Sequence, residues 1–316
     1  MPEVDRLQKT LAGLRALGTD RRSGAAEIAD RAAALLEAFC RGQRARDPRL
    51  PYALSALAEA TLAAHPAMAP LLNLANRIQL AAEAAGRALP VLRRLLAGYR
   101  RERQQAAKAI ARRFARHLPR RATALTYSYS STVLAALAAA RSRLARVIVS
   151  EGRPGYEGRV VAERLARMRI GVTLVSDAAL VEQVEAADLV AVGADAVLAR
   201  TYVNKVGTRL LQEQARARRK PFYVLADTSK LLPAGLAGFH RLEAAPGEEL
   251  WRDAPAGVVV LNRSFESIPF ARGVTLLTER GALTPAEVRA CLERQPVARR
   301  WPRLRQGGQT NGSGRR

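Results

Sequence analysis

The feature that most constrains the fold is a series of short, almost continuously apolar runs in the middle of the chain. Four of these runs are Arg146–Ser150, Val172–Val175, Leu189–Val192 and Phe222–Leu225. Runs of this length that lack polar alternation are typical of strands buried on both faces, as in a parallel sheet. Amphipathic stretches of helical length separate the runs. The alternation therefore predicts βαβ units, and hence a doubly wound, mostly parallel α/β sheet.

The first part of the chain has a different pattern. Within residues 1–118 apolar side chains recur at helical spacing, as in Leu71–Leu89, and no alternating strand pattern interrupts them. We therefore predict a helical N-terminal domain at 1–118, a ligand-binding sheet domain at 119–300 and a disordered basic tail at 301–316.

Further strands are predicted on either side of the four apolar runs. They lie at Ala122–Tyr127, Gly257–Leu261 and Val274–Leu277, whereas residues 265–269 are predicted to form a connecting loop. Ligands of doubly wound sheets bind outside the carboxyl ends of the strands. We therefore expect the functional residues among the polar residues that follow these strands.

One such residue is Asp195, which follows the apolar run Leu189–Val192 and two small residues. A carboxylate at the end of a strand can act as a general base or bind sugar hydroxyls. It can also be an ordinary helix N-cap. The sequence leaves both interpretations open and favours the functional one.

Two lysines lie next to predicted elements of the sheet domain: Lys205 precedes a predicted helix, and Lys230 lies just past the run Phe222–Leu225. Lys205 and Lys230 are two of five lysines in a chain with 52 basic residues. A lysine in an otherwise arginine-rich chain indicates that a compact ammonium group is needed there. Together the two could neutralise a phosphate. The alternative for each is a lysine on the solvent-exposed surface.

A hydroxyl-rich turn, Ser128-Tyr129-Ser130-Ser131-Thr132, connects the first predicted strand to its helix. Backbone N–H groups and hydroxyls at a helix N-terminus can bind phosphate. The alternative, which the turn taken alone favours, is an ordinary N-cap, since serine and threonine are common there.

The composition narrows the choice of partners. The net charge is +24, but the basic residues are almost all arginine and are spread along the chain, so they define no nucleic-acid-binding face. The two cysteines, Cys40 and Cys291, predict neither a disulfide framework nor a zinc site, and no cofactor is predicted.

No apolar run is long enough to span a membrane, and the first residues lack a signal core. We expect a cytoplasmic protein.

Several motifs, taken in chain order, resemble a known family. They are similar to motifs of the translation initiation factor 2B α/β/δ-subunit family, and they read SEGRPGYEG, GVTLVSD, VGADAV, VNKVGT, PFYVLAD-x-x-K and LLTERGALTP. Its relatives include ribose-1,5-bisphosphate isomerase and methylthioribose-1-phosphate isomerase. The resemblance runs from about Thr19 to Val288. It implies a helical N-terminal domain, a Rossmann-like C-terminal domain, and homodimers or higher oligomers. It also implies a phosphorylated sugar or a nucleotide as the ligand.

The resemblance also implies roles for individual residues. In the isomerases, a cysteine after the first strand and an aspartate after a later strand carry out an aldose–ketose rearrangement. Ser128 and Asp195 occupy these positions here. The turn around Gly24 resembles an N-terminal phosphate-binding turn, and His65 stands in place of an arginine. The positions that match substrate-binding residues are Arg22, Gly24, Ala25, His65, Ser130, Ser131, Arg153, Asn204, Lys205 and Lys230.

Ser128 is the departure from the family that bears on catalysis. A cysteine thiol, with a free pKa of about 8.5, exchanges protons near neutral pH. A serine hydroxyl does so only beside a strong base, and no histidine is placed to be that base. The leading hypothesis is therefore a ligand-binding regulatory protein without ordinary isomerase activity. Two alternatives stay open: an isomerase that uses Asp195 with Ser128 or a water, and an assembly subunit in translation initiation.

Overall fold

The computed structural model describes residues 2–20, 23–84 and 86–301, with the side chains of residues 2–4 left out. The chain divides into two compact units. The helical unit comprises the described residues within Met1–Glu102, Leu231–Arg241 and Arg289–Arg316, and the sheet unit comprises Arg103–Lys230 and Leu242–Val288. The predicted domain bounds, with a boundary at residue 118, stay a prediction. Apart from Trp301, the predicted disordered tail lies outside the described residues.

The helical unit is built from long, alanine-rich helices. They are α1 (Pro2–Leu17), α2 (Ala25–Arg41), α3 (Leu50–Ala64), α4 (Ala69–Ala82) and the first part of α5 (Ala88–Ala115). Pro51 and Pro70 lie in the first turns of α3 and α4, where a missing N–H leaves no helical hydrogen bond unmade. Helix α2 buries Ile28, Leu36 and Phe39 on one face. Among the described residues, no helix combines the length and the apolar character needed to cross a membrane.

The sheet unit contains a seven-stranded sheet. Its strands are β1 (Ala122–Thr126), β2 (Leu144–Ser150), β3 (Val172–Val175), β4 (Leu189–Val192), β7 (Phe222–Leu225), β9 (Val274–Thr278) and β10 (Gly281–Leu283). The order across the sheet is β10-β9-β7-β4-β1-β2-β3. All neighbours are parallel except β10 and β9. The predicted doubly wound, mostly parallel sheet is confirmed.

The connecting helices of the sheet unit are α6 (Ser131–Ala139), α7 (Glu157–Arg167) and α8 (Thr208–Ala217), and α9 (Pro285–Glu293) follows the last strand. Every residue of β4 is buried, as a strand covered on both faces requires. Strand β1 has β2 on one side and β4 on the other. The strand order therefore reverses between β1 and β4, which is where a doubly wound sheet opens a crevice for ligands.

A second, smaller sheet was not expected from the sequence. It is antiparallel, in the order β5 (Ala196–Val197), β6 (Thr201–Lys205) and β8 (Phe265–Pro269). The prediction of a loop at residues 265–269 is therefore wrong, because that stretch pairs along its whole length with β6. The predicted strand at Gly257–Leu261 is also wrong. Its apolar side chains lie on the surface, with Val259 82% and Leu261 70% exposed.

Candidate functional site

The site is built where the loops after β1 and β4 meet. Ser130 lies in the first loop and Gly193 in the second, and the two are in close contact. A Cβ atom at residue 193 would lie 2.6 Å from Ser130 Oγ, so a glycine is needed for the loops to approach this closely. Ser128 has a φ of 63°, which turns the chain sharply from β1 towards α6.

Asp195 lies where the chain leaves the large sheet and enters the small one. Its backbone N–H donates to the carbonyl of Val203 at 2.8 Å, which fixes the start of the hairpin β5–β6. The second strand of that hairpin carries Asn204 and Lys205 at the same open end as Asp195, and both are buried. Asn204 Nδ2 donates to Thr208 Oγ1 at 3.0 Å, and that hydroxyl donates to the Lys205 carbonyl at 2.6 Å. Asp195 itself is partly buried, so a ligand can reach it.

Glu157 links two of the predicted site residues. Its Oε1 lies 2.8 Å from Lys205 Nζ, in an ion pair whose side chains are 8% and 15% exposed. The same oxygen accepts a hydrogen bond from Ser128 Oγ at 3.0 Å. Glu157 is the first residue of α7, and the next residue, Gly158, packs against the end of β2. A Cβ at residue 158 would lie 1.7 Å from the Ser150 carbonyl oxygen, so this packing also requires glycine.

Lys230 is the second buried ammonium group of the site. It is 4% exposed and ends the short turn Thr228–Lys230 that follows β7. Burial lowers the pKa of Lys230, the charge of Arg103 lowers it further, and the carboxylates of Asp227 and Asp195 act in the opposite direction. Unlike Lys205, Lys230 makes no ion pair within 4.0 Å with any residue that the structure describes.

Burial dominates the electrostatics of Asp195. It raises the pKa of the carboxyl from 3.8 to about 6, although Lys230 and Lys205 pull the pKa down; the charge of Glu157 adds to the rise. A carboxyl whose pKa lies near neutrality can exist in either protonation state under physiological conditions. Asp195 can therefore accept a proton from a ligand or donate one to it.

The hydroxyl-rich turn contains an ordinary helix cap. Ser130 is the N-cap of α6, and its side chain accepts a hydrogen bond from the backbone N–H of Val133. Ser131 is the first residue of that helix and is partly buried. The cap explains why Ser130 is present, whereas binding of a ligand by Ser130 and Ser131 stays a prediction.

Arg153 lies at the surface. Its guanidinium carbon is 5.0 Å from the centre of the Tyr156 ring, and the side chain donates to the Tyr156 hydroxyl. Its backbone N–H donates to Asp177 Oδ2 at 2.7 Å. The side chain is therefore held by Tyr156, and its predicted contact with a ligand stays a prediction.

The remaining predicted residues belong to the helical unit. Gly24 is the N-cap of α2, and Ala25 is its first, buried residue. His65 ends α3, and its Nε2 donates to the Leu17 carbonyl at 2.8 Å. Arg22 lies outside the described residues. The predicted part of these residues in ligand binding stays a prediction.

Glu157 is the site residue that sequence reasoning missed. An acidic residue in the first turn of a helix is common, because it interacts favourably with the helix dipole. Nothing local distinguishes Glu157 from that ordinary case. The available signal was its position at the start of α7, the helix that follows β2, because ligands of such sheets bind beyond the carboxyl ends of the strands.

Comparison with known proteins adds independent findings. Residues 21–285 match the sequence model of the Initiation factor 2 subunit family. The chain is 31% identical to a putative translation initiation factor eIF-2B subunit 2-like protein from Pyrococcus horikoshii, over 88% of this chain and 97% of that protein. It is 34% identical to the ribose 1,5-bisphosphate isomerase of Archaeoglobus fulgidus over 52% of this chain. The match covers 54% of that isomerase, so the chain spans about half its length.

Solved structures show the same fold. The eIF-2B structure from Pyrococcus horikoshii superposes with a TM-score of 0.75 at 28% identity, covering 88% of this chain and 97% of that one. The 5-methylthioribose 1-phosphate isomerase from the same organism superposes with a TM-score of 0.66 at 22% identity, covering 90% and 86%. The second likeness bears on the fold alone. The family resemblance seen in the motifs is confirmed.

Proposed function

This chain belongs to the Initiation factor 2 subunit family, and on that premise we propose that it is a cytoplasmic regulatory protein that binds a phosphorylated sugar or a nucleotide. The ligand contacts Asp195, Lys205 and Lys230, and the protein lacks ordinary isomerase activity. The observation that supports binding is Lys230, a buried ammonium group without an ion pair to any described residue, at the carboxyl edge of a doubly wound sheet.

The chemistry of the site suits such a ligand. A buried cation is costly unless an anion or hydrogen-bond acceptors compensate it, and a phosphate supplies both. Asp195 can accept hydrogen bonds from sugar hydroxyls. Asn204 precedes Lys205 and already donates a hydrogen bond to Thr208. Its side chain can therefore hold the start of α8 in place and also contact a ligand.

The lack of isomerase activity follows from Ser128. An aldose–ketose rearrangement needs one group that removes a proton and another that returns one. The hydroxyl of Ser128 holds its proton tightly at neutral pH, and that proton is already donated to Glu157. Asp195 therefore lacks the partner that the cysteine provides in the isomerases, a group that exchanges protons near neutral pH.

Thermal shift measurements test the binding proposal. Ribose 1,5-bisphosphate, methylthioribose 1-phosphate, hexose phosphates and nucleoside monophosphates are titrated against the full chain, since a true ligand raises the midpoint with its concentration. Lys230→Met should weaken binding of the best ligand by roughly 1.5–3 kcal/mol, the loss expected for one charge-assisted contact. Lys108→Met is the matched control, because it removes the same charge from an exposed position of the sheet unit. Equal shifts in both variants would refute the assignment.

A second candidate function is an active isomerase. The pKa of about 6 at Asp195 favours it, because that carboxyl can work in both directions at neutral pH, and Glu157 is a carboxylate in contact with Ser128. Turnover of ribose 1,5-bisphosphate by the unmodified chain, lost in Asp195→Asn, would establish this function. Our expectation is turnover that is absent or very slow.

A third proposal concerns assembly. Residues 250–261 expose Trp251, Val259 and Leu261, with exposed fractions of 51%, 82% and 70%. Apolar side chains concentrated on one surface segment commonly mark an interface. A tetrameric eIF2B-β2δ2 complex is among the structures with this fold, at 18% identity. We infer that this segment contributes to a homodimer or a higher oligomer, and a monomer in light scattering at micromolar concentration would refute it.

A further inference from the structure

The two lysines of the site differ in their surroundings. Lys205 is in contact with Glu157 at 2.8 Å, and both side chains are largely buried. Lys230 is equally buried but has no ion pair to any residue in the described ranges. An anionic ligand that approached Lys205 would also approach the Glu157 carboxylate, and like charges at such distances repel each other strongly in a partly buried site.

We propose that Glu157 is a specificity-determining residue: it keeps phosphate away from Lys205 and makes that end of the site a place for sugar hydroxyls. The phosphate group is bound at Lys230. The inference rests on the proposed binding function and assigns the two ends of its ligand.

The hydrogen-bonding groups at the Lys205 end agree with this division. Glu157 Oε1 already accepts from both Lys205 Nζ and Ser128 Oγ, which leaves its second carboxylate oxygen to accept from a ligand hydroxyl. Ser128 Oγ, in turn, retains its acceptor lone pairs. A sugar hydroxyl can therefore donate to Glu157 or to Ser128 Oγ, whereas a phosphate dianion cannot donate at all.

The position of Glu157 is fixed by the fold, so the charge cannot simply swing aside. Helix α7 begins at Glu157, and the next residue, Gly158, packs against the Ser150 carbonyl. The backbone N–H of Gly158 donates to the backbone carbonyl of Glu151 at 3.0 Å. Releasing Lys205 would break a buried ion pair and leave both charges without a partner, which is strongly unfavourable.

The test uses the full chain and inorganic phosphate, followed by calorimetry at constant ionic strength. Glu157→Gln should bind phosphate at least about tenfold more tightly than the wild type, because the repelling charge is gone while an acceptor for Lys205 and Ser128 remains. Lys230→Met should weaken phosphate binding by at least about tenfold. The double change Glu157→Gln with Lys205→Met should lose the gain.

Glu151→Gln is the matched control. Glu151 directly follows β2 and, like Glu157, is paired with a basic residue, in this case Arg159 at 2.9 Å. Removing the charge of Glu151 should leave the affinity for phosphate unchanged. If Glu151→Gln tightens binding as much as Glu157→Gln, the effect is one of net charge and the inference is wrong.

A second ligand separates the two ends of the site. Ribose 5-phosphate carries both hydroxyls and phosphate, so Glu157→Gln should improve its binding less than it improves the binding of inorganic phosphate. The affinity for ribose 5-phosphate divided by the affinity for inorganic phosphate should therefore be lower in Glu157→Gln than in the wild type. An unchanged ratio would contradict the assignment of hydroxyls to Glu157.

The outcomes also separate this inference from the proposed function. Phosphate binding that depends on Lys230 but not on Glu157 overturns the inference alone. Failure of both the wild type and Glu157→Gln to bind phosphate overturns the phosphate site and the inference with it. If Glu157→Gln does not fold, the double change Glu157→Gln with Lys205→Met, which removes both charges of the ion pair, is compared with Lys230→Met, since equal losses of phosphate affinity contradict the division of roles.

Discussion

Replacing Asp195 by asparagine should stabilise the folded chain at neutral pH. Burial is the largest cause of the raised pKa of Asp195, which moves from 3.8 to about 6. The folded state therefore binds a proton more tightly than the unfolded state. Between these two pKa values the folded chain holds more protons, so stability falls as the pH rises through that window.

The size of the effect follows from the shift. A difference of about 6 − 3.8, or about 2.2 pKa units, corresponds to at most about 3 kcal/mol of unfolding free energy at about 1.4 kcal/mol per unit. The full penalty is present above the folded pKa, near pH 7, and disappears below the unfolded pKa. Asparagine has nearly the same shape and does not titrate. Asp195→Asn should therefore be more stable than the wild type near pH 7, and the difference should almost vanish at about pH 3.

Urea unfolding at a series of pH values measures this difference. Asp47→Asn provides a control of opposite sign. The pKa of Asp47 is lowered, chiefly by a hydrogen bond from the Arg49 backbone N–H, so its ionised form stabilises the folded state. That contribution is present above the unfolded pKa and is lost as the pH falls through the folded pKa. Asp47→Asn should therefore be less stable than the wild type at neutral pH.

Two results would refute the reasoning about Asp195. Asp195→Asn that is less stable than the wild type near pH 7 would mean that attraction to Lys205 and Lys230 outweighs burial. A stabilisation of the same size near pH 3 and pH 7 would mean that it does not come from the charge. A gain in stability together with lost ligand binding is the pattern of a residue kept for function.

Three further changes test other parts of the structure. Gly193→Ala should destabilise the chain by about 1–3 kcal/mol in thermal unfolding, because its Cβ would collide with Ser130; Gly98→Ala, which meets only the flexible end of Glu102, should not destabilise it. Val259→Glu should shift the oligomer towards monomer in light scattering, because it places a charge on the exposed apolar segment, and an unchanged mass would argue against that interface. Ser128→Cys should raise turnover of ribose 1,5-bisphosphate, since a thiol returns protons near neutral pH; no gain in a variant that still binds the ligand would show that the serine is not the limiting departure.

The sequence was informative where burial is uniform. Strands β4 and β7 are buried along their whole length, so their residues form unbroken apolar runs. The strand β6 was missed because two of its buried residues, Asn204 and Lys205, are polar. Their burial depends on partners that are distant in the chain, and a local pattern does not contain them.

The same reason limits what could be predicted of the site. Asp195 and Lys230 stood out because they follow predicted strands, and Lys205 because lysine is rare in this chain; in the structure Lys205 ends β6. Glu157 did not stand out, since an acidic residue at a helix start is ordinary. Its importance comes from contacts with Ser128 and Lys205, which the fold brings together. The predicted strand at residues 257–261 failed for the opposite reason, because an apolar run can also lie on the surface.

The hairpin formed by β5 and β6 makes half of the site a local unit. Ala196 pairs with Val203 and Val197 with Tyr202, and a tight turn closes the hairpin with a hydrogen bond from Leu198 to Thr201. The pairing places Asp195 beside Asn204 and Lys205 at the open end of the hairpin, so their spacing is set within residues 195–205. The codons for that half of the site therefore form one short, continuous segment of the gene. Its acid, its amide and its ammonium group can be inherited, lost or transplanted together, whereas Ser128 and Lys230 depend on the large sheet for their position.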